Sequence, residues 1–171
     1  MARITVNTTG TQPVLLITTD TANANIANGQ MGANILSVTC LQDITITNST
    51  GVYSYTDFCN LDMNKLTTPA DNEVAVNVVI DDTVWFGNSS YSPNTAAPYY
   101  GVSSLSQSKE DIVFKLVMNN SNTAGNVANS YYYMGRGFIS SLAPTVNPEA
   151  PVWVSPLSIA VDGTMYSGKN P

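Results

Sequence analysis

The chain has 171 residues, of which 43% are apolar and only 11% carry a charge. Charged residues supply about 25% of an ordinary globular domain, so uncharged polar side chains must make up most of this surface, which favours extensive contact with other proteins. Six basic residues against twelve acidic ones give a formal net charge of −6. That balance excludes a protein that grips nucleic acid through a basic patch.

Most catalytic and metal sites need residue types that are scarce or missing here. The sequence contains no histidine, which excludes Ser-His-Asp and Cys-His nucleophile pairs and removes the commonest metal ligand. Cys40 and Cys59 are too few for a metal framework, and we expect two buried free thiols. Ser106 and Lys109 fit a Ser-x-x-Lys pattern, but its partner motifs are absent. We therefore expect no enzyme, no metal and no cofactor.

Alternation of apolar and polar residues indicates β-strands along most of the chain. Two segments have helical features: a short capped turn from Thr56 to Met63, and residues 103–110. No signal peptide and no apolar run of about 20 residues is visible, so folding in a cytoplasm is expected. In chain order, the expected strands are 4–8, 14–18, 35–47, 74–80, 83–86, 112–118, 131–140 and 157–161.

The pattern shows neither an internal repeat nor a domain boundary. One mainly antiparallel β domain with a minor helix is therefore expected over residues 1–171. Residues 1–34, rich in Thr, Asn and Ala, are interpreted as an N-terminal arm that pairs with another subunit. Residues 88–101 contain Pro93, Pro98 and several tyrosines. Because patternless loops of that length are usually functional in compact domains, this segment is predicted to be an interaction loop.

The stretch YYYMGRGFISS, residues 131–141, places Gly135, Arg136 and Gly137 inside an expected strand. A glycine-rich phosphate loop needs a helix N-terminus behind it, whereas the residues that follow are typical of a strand and a turn. Glycine within a strand more often marks a bulge, a bend or the close approach of another backbone. We therefore expect both glycines to serve backbone geometry.

With its continuation, this stretch resembles a known family. YYYMGRGFISSLAPTVNPEAPVWVSPLSIAVDGTM, residues 131–165, is similar to the C-terminal half of tail tube proteins of long-tailed bacteriophages. In that family a strand with a Gly-x-Gly-Phe-Ile-x-Ser-Leu core leads through a short link to a last strand that ends in glycine. Residues 101–118 agree with the helix and strand ahead of that core. Residues 41–82 resemble an earlier strand, a long polar loop and a further strand.

The resemblance implies a tail-tube-like antiparallel β-barrel or sandwich with one short flanking helix, a fold shared with the inner tube of type VI secretion systems. It also implies hexameric rings that stack into a hollow tube, through which double-stranded DNA leaves the capsid without specific binding. The implied partners are copies of the chain and other tail proteins: the tape measure, the terminator, the baseplate or tip and, in a contractile tail, a sheath. The implied location is the virion tail, after assembly in the host bacterial cytoplasm.

The resemblance also suggests roles for individual residues. Arg136, with Gly135 and Gly137 beside it, is predicted to lie in an assembly strand and to form an ion pair with a neighbouring subunit. Tube lumens of this family are often lined by acidic and polar side chains, and a net charge of −6 would repel passing DNA. The candidate lumen residues are Asp20, Asp71, Glu73, Asp81 and Asp82.

Two alternatives stay open at this point. A capsid decoration or cement protein, or another virion structural protein of β fold, would share the low charge, the strand pattern and the demand for interfaces. A secreted adhesin or lectin would stack Trp85, Trp153 and Tyr99 on sugars, but it would carry a signal peptide. Both tryptophans lie within apolar segments, where packing is the better expectation.

Overall fold

The computed structural model describes residues 12–57, 60–87, 101–120, 130–147 and 150–170. A short 3₁₀ turn, Ile26–Asn28, and two α-helices, α1 (Asp82–Phe86) and α2 (Val102–Ser108), accompany the strands. The strands are β1 (Gln12–Thr18), β2 (Leu36–Val38), β3 (Leu41–Asp57), β4 (Asn60–Val79), β5 (Ile112–Asn120), β6 (Tyr131–Leu142), β7 (Thr145–Asn147) and β8 (Ala150–Lys169).

These eight strands form one antiparallel sheet. Seven follow the order β2-β1-β5-β6-β8-β4-β3, and β7 pairs with β8 beside this path. The sheet curls until β1 contacts β3, which encloses one of its faces. The architecture is therefore mainly β and barrel-like, as predicted.

The enclosed face contains the main hydrophobic core. On β4, Val74, Val76 and Val78 point inward at every second residue, as the pleat of a strand requires. Their neighbours across β8 are Ile159, Leu157 and Ser155. Further buried members of this core, including three from the helices, are Leu15, Ile17, Val38, Trp85, Val102, Leu105, Ile112, Phe114, Leu116 and Ile139.

The outer face of β1, β5 and β6 is covered as well. Residues 24–31, which include the 3₁₀ turn, place Ala24, Ile26 and Met31 over a second apolar cluster. This double coverage explains why four consecutive residues of β1, 14–17, are all buried. The cluster consists of Val14, Leu16, Val113, Val117, Tyr132 and Met134.

The structure corrects two predicted elements. Residues 83–86 form helix α1 and not a strand, because the Asp81 side chain accepts hydrogen bonds from the amides of Thr83 and Val84 and so begins a helix. The turn predicted from Thr56 to Met63 belongs to β3 and β4, where these two residues pair across a hairpin. The helix expected over 103–110 is confirmed as α2.

Two further expectations change. The strand expected over 35–47 is broken, because Cys40 has φ 58°, in the left-handed region; its thiol is also exposed and not buried. Residues 12–34 pack on the sheet of their own chain, where β1 lies between β2 and β5. An intersubunit arm therefore stays a prediction for residues 1–11 only, which lie outside the described residues. Cys59 and most of the predicted interaction loop, 88–100, lie outside them too.

Candidate assembly surfaces

A two-stranded ribbon leaves the sheet at the distal ends of β3 and β4. Strand β8 pairs with β4 only from Asn72 to Val79, whereas β3 pairs with β4 out to Asp57 and Asn60. The described residues 49–57 and 60–71, named the arm from here on, therefore have no third described strand beside them. An isolated two-stranded hairpin is marginally stable in water, so contacts with another molecule would stabilise the arm.

The arm exposes large apolar side chains on both of its faces. Tyr53 and Leu66 are cross-strand partners, and the rings of Tyr53 and Tyr55 stack with centroids 6.3 Å apart. Alternation places Val52 and Met63 on the opposite face. Val52 is 59%, Tyr53 61% and Met63 64% exposed. Exposed apolar surface of this extent marks an interaction site.

A second apolar surface lies at the other end of β4. It is a groove of about 340 Å³ lined by Ile80, Asp82, Phe86, Val152 and Trp153. The amide of Ile80 donates to the carbonyl of Trp153 at 2.9 Å. This hydrogen bond connects the segment between β4 and α1 to β8. Both Phe86 and Trp153 are exposed. Along the extended strand, the groove lies about 45 Å from the apolar part of the arm.

The Gly-Arg-Gly segment lies in β6, between β5 and β8. Met134 pairs with Tyr166, but Arg136 pairs with Asp162, so β8 carries extra residues and bulges here. A Cβ atom at Gly137 would overlap the carbonyl oxygen of Ala160. Of the alternatives given for a glycine within a strand, the close approach of another backbone is found at Gly137, whereas the bulge lies on the partner strand β8. Arg136 is exposed beside Asp162 of its own chain, and its intersubunit ion pair stays a prediction.

Two of the five candidate lumen acids have local structural roles. Asp20 closes the loop that follows β1: its carboxylate accepts from the amide of Ala33 at 2.9 Å and from the side chain of Asn23 at 2.9 Å. These hydrogen bonds, the Ala33 amide foremost, lower the pKa of Asp20. Asp81 caps α1, and hydrogen bonds from the hydroxyl of Thr83 and the amide of Val84 lower its pKa.

The cap predicts a pH-dependent loss of stability in Asp81→Ala. The variant should unfold with about 1 kcal/mol less free energy at neutral pH, the usual effect of removing an N-cap. Because the folded pKa lies below the ordinary 3.8, this contribution is complete above that pH and is lost as pH falls through the folded pKa. Urea denaturation at neutral pH and well below 3.8 measures it. Asp111→Ala, an exposed acid without a cap role, should have little effect at either pH.

The other candidate acids divide between two surfaces. Asp71 and Glu73 alternate with the inward-facing Asn72 and Val74 on β4, so they lie on the outer face of the sheet. Asp82 lies in the first turn of α1 and lines the apolar groove. The outer face also carries two acids that the sequence prediction missed. These are Asp43, which accepts from Asn77 Nδ2 at 3.1 Å, and Asp162, opposite Arg136.

A buried cation was also missed. Lys115 lies in β5 with 5% of its surface exposed. Its Nζ donates to the carbonyl of Gly29 and to Oδ1 of Asn170, each at 2.8 Å, and lies 4.4 Å from the ring centroid of Tyr132. Burial lowers the pKa of Lys115. Lys115 therefore connects two segments to the sheet by hydrogen bonds: the loop of residues 24–31, which covers the outer face, and the C-terminal end of β8. The signal in the sequence is a single lysine inside the apolar run IVFKLVM.

The part of the chain that the structure describes contains neither a cluster of three potential metal ligands nor a helix that could span a membrane. No group of three His, Cys, Asp or Glu side chains there lies close enough to hold a metal ion. No helix in the same ranges is long and apolar enough to cross a membrane.

Neither a protein-family profile nor a curated protein matches the sequence. Solved structures do match. A chain in the tail of an empty GTA particle, computed with helical refinement and C6 symmetry, is similar with a TM-score of 0.54 at 11% identity, over 91% of this chain and 95% of that one. A chain in the virion of a native gene transfer agent (GTA) particle gives 0.54 at 9% identity, over 95% of this chain and 98% of that one.

A third similar structure comes from another particle. A chain of the anti-feeding prophage (AFP) baseplate, 6-fold symmetrised, has a TM-score of 0.50 at 8% identity, over 98% of this chain and 97% of that one. At such identities the likeness concerns the fold, and the near-complete coverage on both sides means that it extends over the whole domain. The protein therefore has the tail-tube-like fold that residues 41–82 and 131–165 predicted.

Proposed function

We propose that the protein is a structural, non-enzymatic subunit of a phage tail or a tail-like particle. It self-assembles into hexameric rings that stack into a tube, and the tube is a conduit for genome ejection into the host. The observation that carries this proposal is the arm on a tail-tube-like fold, because its large apolar side chains are exposed on both of its faces. The symmetry of the similar structures, C6 for the GTA tail and six-fold for the AFP baseplate, supports rings of six.

The position of the arm favours an open stack. Its apolar part and the groove beside α1 lie at opposite ends of β4, too far apart for one molecule to join them. In the proposed stack the arm of one copy contacts the groove of the next copy, and a contact between two unlike surfaces is heterologous. Heterologous contacts that do not close produce filaments. Arg136 is exposed on β6, which β8 separates from β4, and this exposure supports the proposed ion pair between copies.

The outer face of β3, β4 and β8 fits the lumen of such a tube. It carries Asp43, Asp71, Glu73 and Asp162, whereas alternation along β4 places one cation, Lys65, on the same face, and Arg136 lies opposite Asp162 on β6. A predominantly acidic wall repels the phosphate backbone and does not retain it. The further partners would be the tape measure, the terminator, the baseplate or tip and, in a contractile tail, a sheath. Assembly would take place in the host bacterial cytoplasm, and the final location would be the virion tail.

Negative-stain electron microscopy of the purified protein tests this proposal. We expect rings or hollow tubes from the wild-type chain and loss of tubes from the double variant Tyr53→Ser with Leu66→Ser, because it removes the apolar pair from one face of the arm. The circular dichroism spectrum of the double variant should match that of the wild type, because both side chains are exposed and the fold does not depend on them.

The control is Ile35→Ser, which removes an apolar side chain that is 44% exposed and lies outside both the arm and the groove; it should form tubes. A strictly monomeric wild-type protein at high concentration in light scattering would overturn the proposal. Binding to preformed capsids without tubes would identify a decoration or cement protein in its place.

A further inference from the structure

A second cavity lies at the root of the arm, between β4 and the bulge of β8. Its volume is about 540 Å³, within the range of small-ligand sites. Polar residues Asn48, Asn72, Asp162 and Thr164 line it together with apolar Val161 and Met165. This cavity adjoins the arm at Pro69 and Ala70, and it is separate from the groove beside α1 and from the Lys115 cluster.

Asn72 brings to this cavity a buried side-chain oxygen that has no hydrogen-bond partner among the described residues. It is 5% exposed and lies between Asn48 of β3 and Val161 of β8 in the sheet register. Its Nδ2 donates to the carbonyl of Gly163 at 3.2 Å, which fixes the orientation of the amide. Its Oδ1 accepts no hydrogen bond from any described residue. Buried acceptors are nearly always satisfied, so the cavity lacks a donor at this atom.

The bulge of β8 keeps the cavity open. Gly163 has φ +82°, a left-handed conformation, and a Cβ atom built on it would meet nothing within 4 Å. Residues 163–165 therefore leave the β6 register and form one wall, while residues 69–72 of β4 form the other. Bulges that re-aim a strand in this way are common beside binding sites.

The residues that line the cavity determine which chemical groups it can bind. Oδ1 of Asn72 requires an N–H or O–H donor, Asp162 is the only charged residue on the wall, and Val161 and Met165 suit a hydrocarbon stem. We propose that this cavity binds an alkylammonium or guanidinium group, with Asn72 Oδ1 as hydrogen-bond acceptor and Asp162 as the source of negative charge. A free polyamine and a Lys or Arg side chain of a second copy both present this group. The proposal does not depend on tube formation.

Equilibrium dialysis of the full chain with radiolabelled putrescine tests the site. We expect saturable binding of one putrescine per chain. Asn72→Leu, similar in volume, and Asp162→Asn should each weaken binding about tenfold, because each removes a hydrogen bond or charge that faces a cation. The matched control is Asp43→Asn, which makes the same charge change on the outer face but does not line the cavity. It should bind as the wild type does.

Tetramethylammonium separates hydrogen bonding from charge attraction, because it is a cation without an N–H donor. Methylguanidinium should displace putrescine, and tetramethylammonium at the same concentration should not. Equal displacement by both, absence of saturable binding, or unchanged binding by Asn72→Leu would each overturn the proposal. If circular dichroism shows that Asn72→Leu does not fold, Thr164→Val at an exposed position replaces it, with weakening as the expected result and unchanged binding as the contrary one.

The two sources of the ligand group give different results after assembly. If a side chain of a second copy fills the cavity, the unassembled protein should bind putrescine and the assembled protein should not. If the ligand is a free polyamine, both fractions should bind it. Binding by a protein that never forms rings would leave this inference intact while the proposed function fails.

Discussion

Gly137→Val is expected to lower the free energy of unfolding by about 3 kcal/mol or more, a cost typical of severe overpacking. A Cβ atom at this position would overlap the carbonyl oxygen of Ala160, and that oxygen belongs to the backbone of β8. Relief would require β6 and β8 to move apart at the centre of the sheet, where Ile139 and Ile159 pair in the core. Urea denaturation followed by tryptophan fluorescence measures the effect.

Gly51→Val is the matched control. Its Cβ atom would meet only the hydroxyl end of the Thr68 side chain, which can rotate away in the exposed arm. We expect a change within about 0.5 kcal/mol, as for ordinary surface substitutions. Equal losses for the two variants, or none for Gly137→Val, would contradict the role assigned to the close approach of β6 and β8.

The strands that were predicted correctly have at least one buried face. Val74, Val76 and Val78 alternate with the small or polar residues Ala75 and Asn77 because β4 separates the core from solvent there, and the sequence shows this local pattern. The arm has no such pattern, because both of its faces are exposed. Tyr53 pairs with Leu66 on the other strand of the arm, and no local pattern in the sequence reveals that pairing. The sequence around Thr56 was therefore interpreted as a helical turn.

A single side chain, that of Asp81, determines that residues 82–86 form helix α1. The apolar residues of DTVWF fit a short strand or a helix equally well, since short segments carry little periodicity. Asp81 decides the outcome by accepting hydrogen bonds from Thr83 and Val84. The sequence contains a capping residue followed by an apolar run, and this pattern predicts the start of a helix.

Which residues lie together on a candidate surface depends on the pairing register of the strands, even more than the fold does. Glu73 and Asp43 share an outer face only because β3 and β4 pair as they do, and no property of either residue reveals that face. Asp20, another candidate lumen acid, closes a loop through Ala33 and Asn23, and its residue type did not reveal that local role. The resemblance predicted the fold but did not assign side chains to surfaces.

Lys115→Met is expected to lower the free energy of unfolding by about 2 kcal/mol, because it deprives the buried carbonyl of Gly29 and Oδ1 of Asn170 of a charged donor and removes the cation from the ring of Tyr132. Methionine retains much of the side-chain volume, so the loss concerns the polar contacts. Urea denaturation measures the change, and hydrogen exchange should show faster opening at the amides of Gln30 and Asn170, which close the two segments held by the lysine.

The pH dependence of this effect has a defined sign. Burial holds the folded pKa of Lys115 below its ordinary value of 10.5, so at neutral pH the folded state carries the cost of a desolvated cation. That cost is relieved as pH rises from the folded pKa towards 10.5, and the stability advantage of the wild type over Lys115→Met should grow across this window. Lys109→Met, which alters an exposed lysine with one long contact of 3.4 Å to the carbonyl of Ile139, should change stability by no more than about 0.5 kcal/mol. If the two variants unfold alike, Lys115 does not fasten the loop and the end of β8 to the sheet.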